Sequence, residues 1–309
     1  MQHRPIVPPL MALTFGILAV STGSILARYA QGYAPSLVVA AYRLGLATLM
    51  LLPLVLWKYR PELRSLGRRE LGLGLLSGFF LSIHFATWIT SLEYTTVASS
   101  VVLVTTTPLW VALLSPLVLK EAINRPVRVG MFLALAGGVV VGLSDTCALG
   151  RNGLQCPPLD EFLQGEAFLG DLLALAGAIM AACYILIGRR LREKVSLISY
   201  IFVVYGMAAA VLVATVLLSG HKLLVYPSEA YIWFVLLALV PQLIGHSTFN
   251  WVLRYISAAY VSISLLGEPV GATILAYLLL GETPVALKIF GAILILIGIY
   301  LASRSEGRG

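Results

Sequence analysis

Runs of about 20 apolar residues, separated by short clusters of Arg, Lys, Asp, Glu, Gly and Pro, follow one another along the whole chain. A helix rises 1.5 Å per residue, so about 20 such residues cross the roughly 30 Å hydrocarbon core of a bilayer. The pattern predicts ten crossing helices, over 10–30, 36–57, 71–91, 95–119, 126–144, 169–190, 197–219, 231–253, 258–280 and 284–303. No soluble domain fits in what is left. The expected fold is therefore all-α and integral to a membrane.

Composition agrees: 59% of the 309 residues are hydrophobic and 11% charged, and mean hydropathy is +0.93, outside the soluble range. The net charge of +7 does not point to nucleic acid, because the basic residues sit in short loops beside apolar runs, as the positive-inside rule expects. With the N-terminus in the cytoplasm, 16 Lys and Arg face that side and four face out, while Arg43 lies within the second helix. Lys58, Arg60, Arg64, Arg68 and Arg69 dominate the inner side with Arg189, Arg190, Arg192 and Lys194. Both termini are expected to be cytoplasmic, in a cell membrane. The first run follows Arg4 in the manner of a signal peptide, but it has a counterpart later in the chain and is read as a retained span.

A shift of 161 residues aligns the two halves without a gap: Gly16 falls on Gly177, Arg28 on Arg189, Gly45 on Gly206, Tyr94 on Tyr255, Pro108 on Pro269, Glu121 on Glu282 and Gly130 on Gly291. Matches of Leu on Leu would mean little in so apolar a chain; paired Gly, Pro, Arg and Glu mean more. Five helices per repeat is an odd number, so equivalent loops must face opposite sides. Their charges differ accordingly: loop 58–70 holds five Lys and Arg and its counterpart 219–231 only Lys222, while loop 189–196 holds four and its counterpart 28–35 only Arg28. The expected organisation is two inverted five-helix repeats, 10–144 and 169–303, joined by an extracytoplasmic loop over 145–168, as in many secondary transporters.

Tyr94 through Glu121 and Tyr255 through Glu282, with Gly267-Glu268-Pro269 and Gly281-Glu282, resemble the drug/metabolite transporter superfamily in its two-repeat EamA-like form, and the likeness extends over nearly the whole chain. Arg43 fits the same pattern. The resemblance implies ten helices around a central cavity and, typically, export of amino acids or related metabolites. The polar segment of roughly 24 residues between the fifth and sixth helices is longer than the resemblance implies.

Glu268 lies about ten residues into the ninth helix, near the bilayer midplane at roughly 15 Å. A charge there costs a few kcal/mol unless paired, hydrated or protonated, which makes a proton or a solute ammonium its candidate partner; the alternative is a carboxyl that locks helices together. Gly267 and Gly271 beside it form a close-packing pair. Pro108 and Pro269 interrupt equivalent helices and free carbonyls near mid-membrane, either at a binding site between the repeats or as plain packing kinks. Thr105, Thr106, Thr107 and Ser264 offer neutral hydrogen bonds nearby. Phe80, His84 and Trp88 share one face of the third helix, and Gln242, His246 and Phe249 one face of the eighth. Trp88 also suits an interfacial anchor, and each His a packing residue. Arg43 is shallow enough for its stem to snorkel outward; otherwise it is a cation in the cavity, binding a carboxylate or pairing with Glu268. Cys147 and Cys156, nine apart in the outer segment, are candidates for a disulfide, whereas Cys183 reads as a packing residue.

Neither a His-Glu-x-x-His nor a Gly-x-Ser-x-Gly motif occurs, and there is no P-loop. No enzyme activity, metal or cofactor is expected. The expectation is a secondary transporter for a small metabolite, with protons as possible coupling ions, working by alternating access around a cavity formed by helices 3, 4, 8 and 9 with parts of 1 and 6. The alternatives are a channel or receptor, or a sugar-phosphate or nucleotide-sugar exchanger. The latter is disfavoured by the lack of clustered intramembrane Lys and Arg.

Overall fold

The computed structural model describes residues 7–118, 125–144, 148–150, 153–158, 165–265 and 267–303. Its helices are α1 (Pro9–Gln31), α2 (Ser36–Ser65), α3 (Arg68–Tyr94), α4 (Val97–Val118), α5 (Arg125–Ser144), α6 (Glu166–Arg192), α7 (Leu197–Leu218), α8 (Ser228–Val252), α9 (Ala258–Leu280) and α10 (Ala286–Ser303). Eight of them, α1–α4 and α6–α9, are long and apolar enough to cross a membrane. The fifth and tenth expected spans are the helices α5 and α10, which pack on one another. Their axes approach closely at Gly137, where a Cβ would stand 2.5 Å from the Gly291 carbonyl. The segment between α5 and α6 adds a small antiparallel strand pair that the sequence did not predict, β1 (Ala148–Gly150) with β2 (Gly153–Gln155).

Polarity is arranged inside out. Leu117 is 80% exposed, Leu218 90% and Phe132 74%, whereas Arg43 is 1% exposed and Gln242 and Asn250 are fully buried. So large an apolar surface is stable only where lipid replaces water.

Three hydrogen bonds recur at the 161-residue offset seen in the sequence. Arg28 donates to the Leu92 carbonyl, as Arg189 does to Leu253. Gln31 Nε2 donates to Ile89 O at 2.7 Å, and Arg192 Nε to Asn250 O at 2.9 Å. Ser99 N–H donates to Thr96 Oγ1 at 3.2 Å, and Tyr260 N–H to Ser257 Oγ at 3.1 Å. Equivalent helix ends in the two halves are thus tied by equivalent bonds, even where Gln31 is replaced by Arg192.

Several boundaries differ from expectation. α2 does not stop before the basic run but continues through a π-helical turn, Val55–Tyr59, into Arg60–Ser65. Glu62 holds this extension by accepting from Ser196 N–H at 2.7 Å and Ser199 Oγ at 2.7 Å at the start of α7. α8 carries a second π-helical stretch, Ala238–His246, around Pro241; an insertion of this kind shifts which face the following side chains present.

Candidate functional site

Both predicted helix breaks are present, each just ahead of its proline. Pro269 has no N–H for the Leu265 carbonyl, which accepts from Glu268 N–H instead at 2.9 Å, and α9 is divided into Ala258–Ser264 and Gly267–Leu280. Pro108 likewise leaves the Val104 carbonyl to the Thr107 hydroxyl at 2.8 Å, and α4 is divided after Val104. The second half of α9 lies tightly on α1. A Cβ on Gly267 would come within 2.8 Å of Ile17 Cγ2, one on Gly271 within 2.7 Å of Ser21 Cβ, and Ser21 Oγ donates to the Glu268 carbonyl at 3.4 Å. This packing sets the depth and direction of Glu268.

Beside the two breaks is a cavity of about 50 Å³, lined from α1, α2, α3, α4, α6, α8 and α9. A buried water needs roughly 15 Å³, so there is room for a few waters. Arg43, His84, Trp88, Thr107, His246 and Glu268 line it together. Gln242 stands behind it, and Ser264 is not among its walls.

Arg43 does not snorkel. Its guanidinium is held inside by Nε donating to Gln242 Oε1 at 2.8 Å, and it lies over the rings of Phe85 at 4.2 Å and Trp88 at 5.6 Å. The turn at Ala238–His246 brings Gln242 to it. Nη1 is buried and has no protein partner. No ion pair within 4.0 Å joins Arg43 to Glu268, although both line the cavity and Glu268 is only 9% exposed. A guanidinium and a carboxyl group thus face a shared space without touching.

Aromatic rings form the walls. His84 stacks on Trp88 with ring centres 6.0 Å apart and lies 6.4 Å from His246, which meets Phe85 edge-on at 5.2 Å. His84 Nδ1 is 2.9 Å from the Gly177 carbonyl. A carbonyl can only accept, so this nitrogen carries the proton and Nε2 is the acceptor. Trp88 is 3% exposed with its Nε1 unpartnered, which excludes a role as an interfacial anchor.

The threonine hydroxyls expected to offer hydrogen bonds are turned onto their own helix. Thr105 donates to Val101 O at 2.7 Å, Thr106 to Leu103 O at 2.7 Å, and Thr107 to Val104 O; Ser264 does the same to Tyr260 O at 3.0 Å. Thr105 and Thr107 reach the cavity, where their oxygens can only accept. Two further polar walls escaped the sequence reading, Asn250 and Tyr184. Asn250 Nδ2 donates to Tyr184 Oη and, at 2.8 Å, to His246 O, while its Oδ1 is buried and unpartnered. The spacing Gln242, His246, Asn250 was the available signal; Tyr184 had none. Cys156 is disulfide-bonded and Cys183 is free; Cys147, the predicted other half, lies outside the described residues, as does Glu121. Among the described residues no group of three or more His, Cys, Asp or Glu could hold a metal ion.

A buried cavity with a few polar groups, among broken helices whose apolar side chains face outward, defines a polytopic membrane protein. The sequence profile of the EamA-like transporter family matches the chain twice, over residues 8–143 and 168–304, and the chain belongs to that family of membrane transporters. Similar proteins include an "Uncharacterized transporter" of Archaeoglobus fulgidus, 27% identical over 296 residues and 95% of each chain. The transporter YyaM of Bacillus subtilis is 24% identical over 95% of this chain and 92% of its own, and a WAT1-related protein of Arabidopsis thaliana 23% over 97% and 87%. A solved crystal structure superposes with a TM-score of 0.67 at 20% identity, covering 97% of this chain and 98% of its own, and so shares the fold.

Proposed function

We propose that the protein is a secondary transporter that moves a small zwitterionic metabolite, an amino acid or close relative, with export as its direction and protons as the coupling ion. The observation that carries this reading is the unneutralised pair in the cavity: a buried Arg43 with a spare Nη1, and the Glu268 carboxylate facing the same space. Arg43 would take the solute's carboxylate, which suits a planar guanidinium, and Glu268 its ammonium. The apolar walls, Val20, Val104, Ile185, Phe249 and Leu265 among them, favour an apolar or aromatic side chain. With the solute gone, a proton on Glu268 would remove an intramembrane charge that costs about 2.5–3.5 kcal/mol.

The cavity at its present size does not admit such a solute, so access requires the half-helices at Pro108 and Pro269 to move. In the proposed arrangement α1–α5 and α6–α10 are inverted repeats that all cross the bilayer, with both termini in the cytoplasm and the protein in the cell membrane. Alternating access then opens the cavity to one side at a time. A sugar-phosphate or nucleotide-sugar exchanger is a poorer fit, because a dianionic phosphate would meet one cation and a carboxylate.

The test is uptake of labelled amino acids into proteoliposomes with and without a pH gradient. Saturable uptake with counterflow, driven by protons, is expected. Flux that neither saturates nor shows counterflow would make the protein a channel.

A further inference from the structure

Away from Arg43 and Glu268 the central cavity has one acceptor and one donor that nothing uses. Asn250, on α8, is fully buried, and Tyr184, on α6, is 4% exposed; both line the cavity. Asn250 Nδ2 donates to the His246 carbonyl at 2.8 Å. A carbonyl only accepts, so the atom facing it is the amide nitrogen, and the other must be Oδ1. The second proton of Nδ2 goes to Tyr184 Oη. Oδ1 is buried and has no partner. The Tyr184 hydroxyl, having accepted from Asn250, keeps its own proton, for which no acceptor stands among the described residues. An open acceptor and an open donor are thus side by side, linked through one amide nitrogen. Buried polar groups are nearly always paired, so two left open together on a cavity wall call for a partner from within it. The backbone that carries the amide is held as well, because Arg192 Nε donates to the Asn250 carbonyl at 2.9 Å. Groups set in advance in this way lose little freedom on binding.

Chemistry and reach select the occupant. A group that donates to Oδ1 and accepts from the tyrosine O–H is an alcohol, a phenol or a carboxamide. A carboxylate has no proton for Oδ1, and an ammonium has no lone pair for Tyr184. Gln242, which holds Arg43, and Asn250 lie on the same helix, about 12 Å apart along its axis. Less a hydrogen bond of about 3 Å at each end, the solute spans about 6 Å from its carboxylate to this point. A serine hydroxyl falls short of that distance, whereas a glutamine amide or a tyrosine phenol reaches it. Ile185, Phe249 and Leu253, beside the pair in sequence, line the cavity with it and suit an apolar body.

We propose that Tyr184 and Asn250 form a second polar subsite, which reads a neutral hydrogen-bonding group at the far end of an otherwise apolar solute side chain. The inference rests on Arg43 and Glu268 taking the solute's charged ends, as proposed above.

The experiment is equilibrium binding of labelled tyrosine, phenylalanine, glutamine and methionine to the full-length protein in detergent. Tyrosine against phenylalanine, and glutamine against methionine, keep the body nearly constant and differ in the polar end. In the wild type the polar member of at least one pair should bind about tenfold more tightly. Tyr184→Phe, which removes one oxygen, should cut that ratio at least about threefold. Asn250→Leu should bring the ratio to about one, and in both variants affinity for the apolar member should be unchanged. A merely structural role would weaken both members alike and leave the ratio as it was, which overturns the proposal. A wild type that binds both members of each pair equally also overturns it, while the reading of the charged ends survives. If none of the four binds, that reading and the subsite fall together. Should Asn250→Leu not fold, Tyr184→Phe decides: an unchanged ratio in that variant refutes the subsite.

Discussion

Replacing Gly271 with Ala puts a methyl group where Ser21 already stands. The new Cβ would lie 2.7 Å from Ser21 Cβ and closer still to Ser21 Oγ. Ser21 is 2% exposed, and its hydroxyl donates to Ile17 O at 2.9 Å and Glu268 O at 3.4 Å; its Cβ, fixed to the backbone, does not move with the rotamer. α9 must move off α1. Overpacking of this kind costs about 1–3 kcal/mol, and for a chain of 309 residues that lowers the unfolding temperature by something on the order of 1.5–5 °C. Because Glu268 is one turn away on the same half-helix, transport should fall along with stability. Two controls isolate the cause. Gly45→Ala, with nothing within 4 Å of its added methyl, should be neutral or slightly stabilising. Ser21→Gly removes both colliding atoms, so the double variant should regain most of the loss, as coupled neighbours do. Thermal unfolding in detergent is the assay, with uptake in proteoliposomes beside it. If Gly271→Ala unfolds with Gly45→Ala, or Ser21→Gly gives no rescue, the α1–α9 contact does not hold Glu268 in place.

Gln242→Leu removes the acceptor of Arg43 Nε and leaves a second buried guanidinium donor unpaired; a loss of about 1.5–3 kcal/mol is expected in unfolding, with weaker solute binding, and Gln242→Glu should keep Arg43 bound. Cys147 is expected to be the partner of Cys156: in membranes prepared without reductant a thiol reagent should label neither, reduction should release both, and Cys156→Ser should cost about 2–3 kcal/mol.

Much of the fold was legible because lipid makes simple demands on a sequence. Long apolar runs, paired Pro108 and Pro269, and Gly pairs at a fixed offset each answer one physical requirement, and the hydrogen bonds of Arg28 and Arg189 recur at that same offset. What was not legible depends on tertiary packing. Depth counted along α2 made Arg43 shallow enough to reach the surface, but Phe85, Trp88 and Gln242 come from other helices to enclose it. The π-helical stretch of α8 had Pro241 as its one local sign, and local signs do not give register. The hydroxyls of Thr105, Thr106 and Thr107 bond their own carbonyls because a helical Thr places Oγ1 beside the preceding turn; a residue type alone does not show which partner it takes. Tyr184 joins the site because α6 packs beside α8, where Asn250 donates to its hydroxyl.

The central claim is that Arg43 and Glu268 read the two opposite charges of one solute. The direct measurement is competition binding of the solute that uptake selects against its amide, which lacks the carboxylate, and its deamino analogue, which lacks the ammonium. In the wild type both analogues should bind at least about tenfold more weakly. Arg43→Met should abolish discrimination against the amide alone, and Glu268→Gln discrimination against the deamino analogue alone. Discrimination that survives both substitutions would place the solute's charges elsewhere and contradict the account.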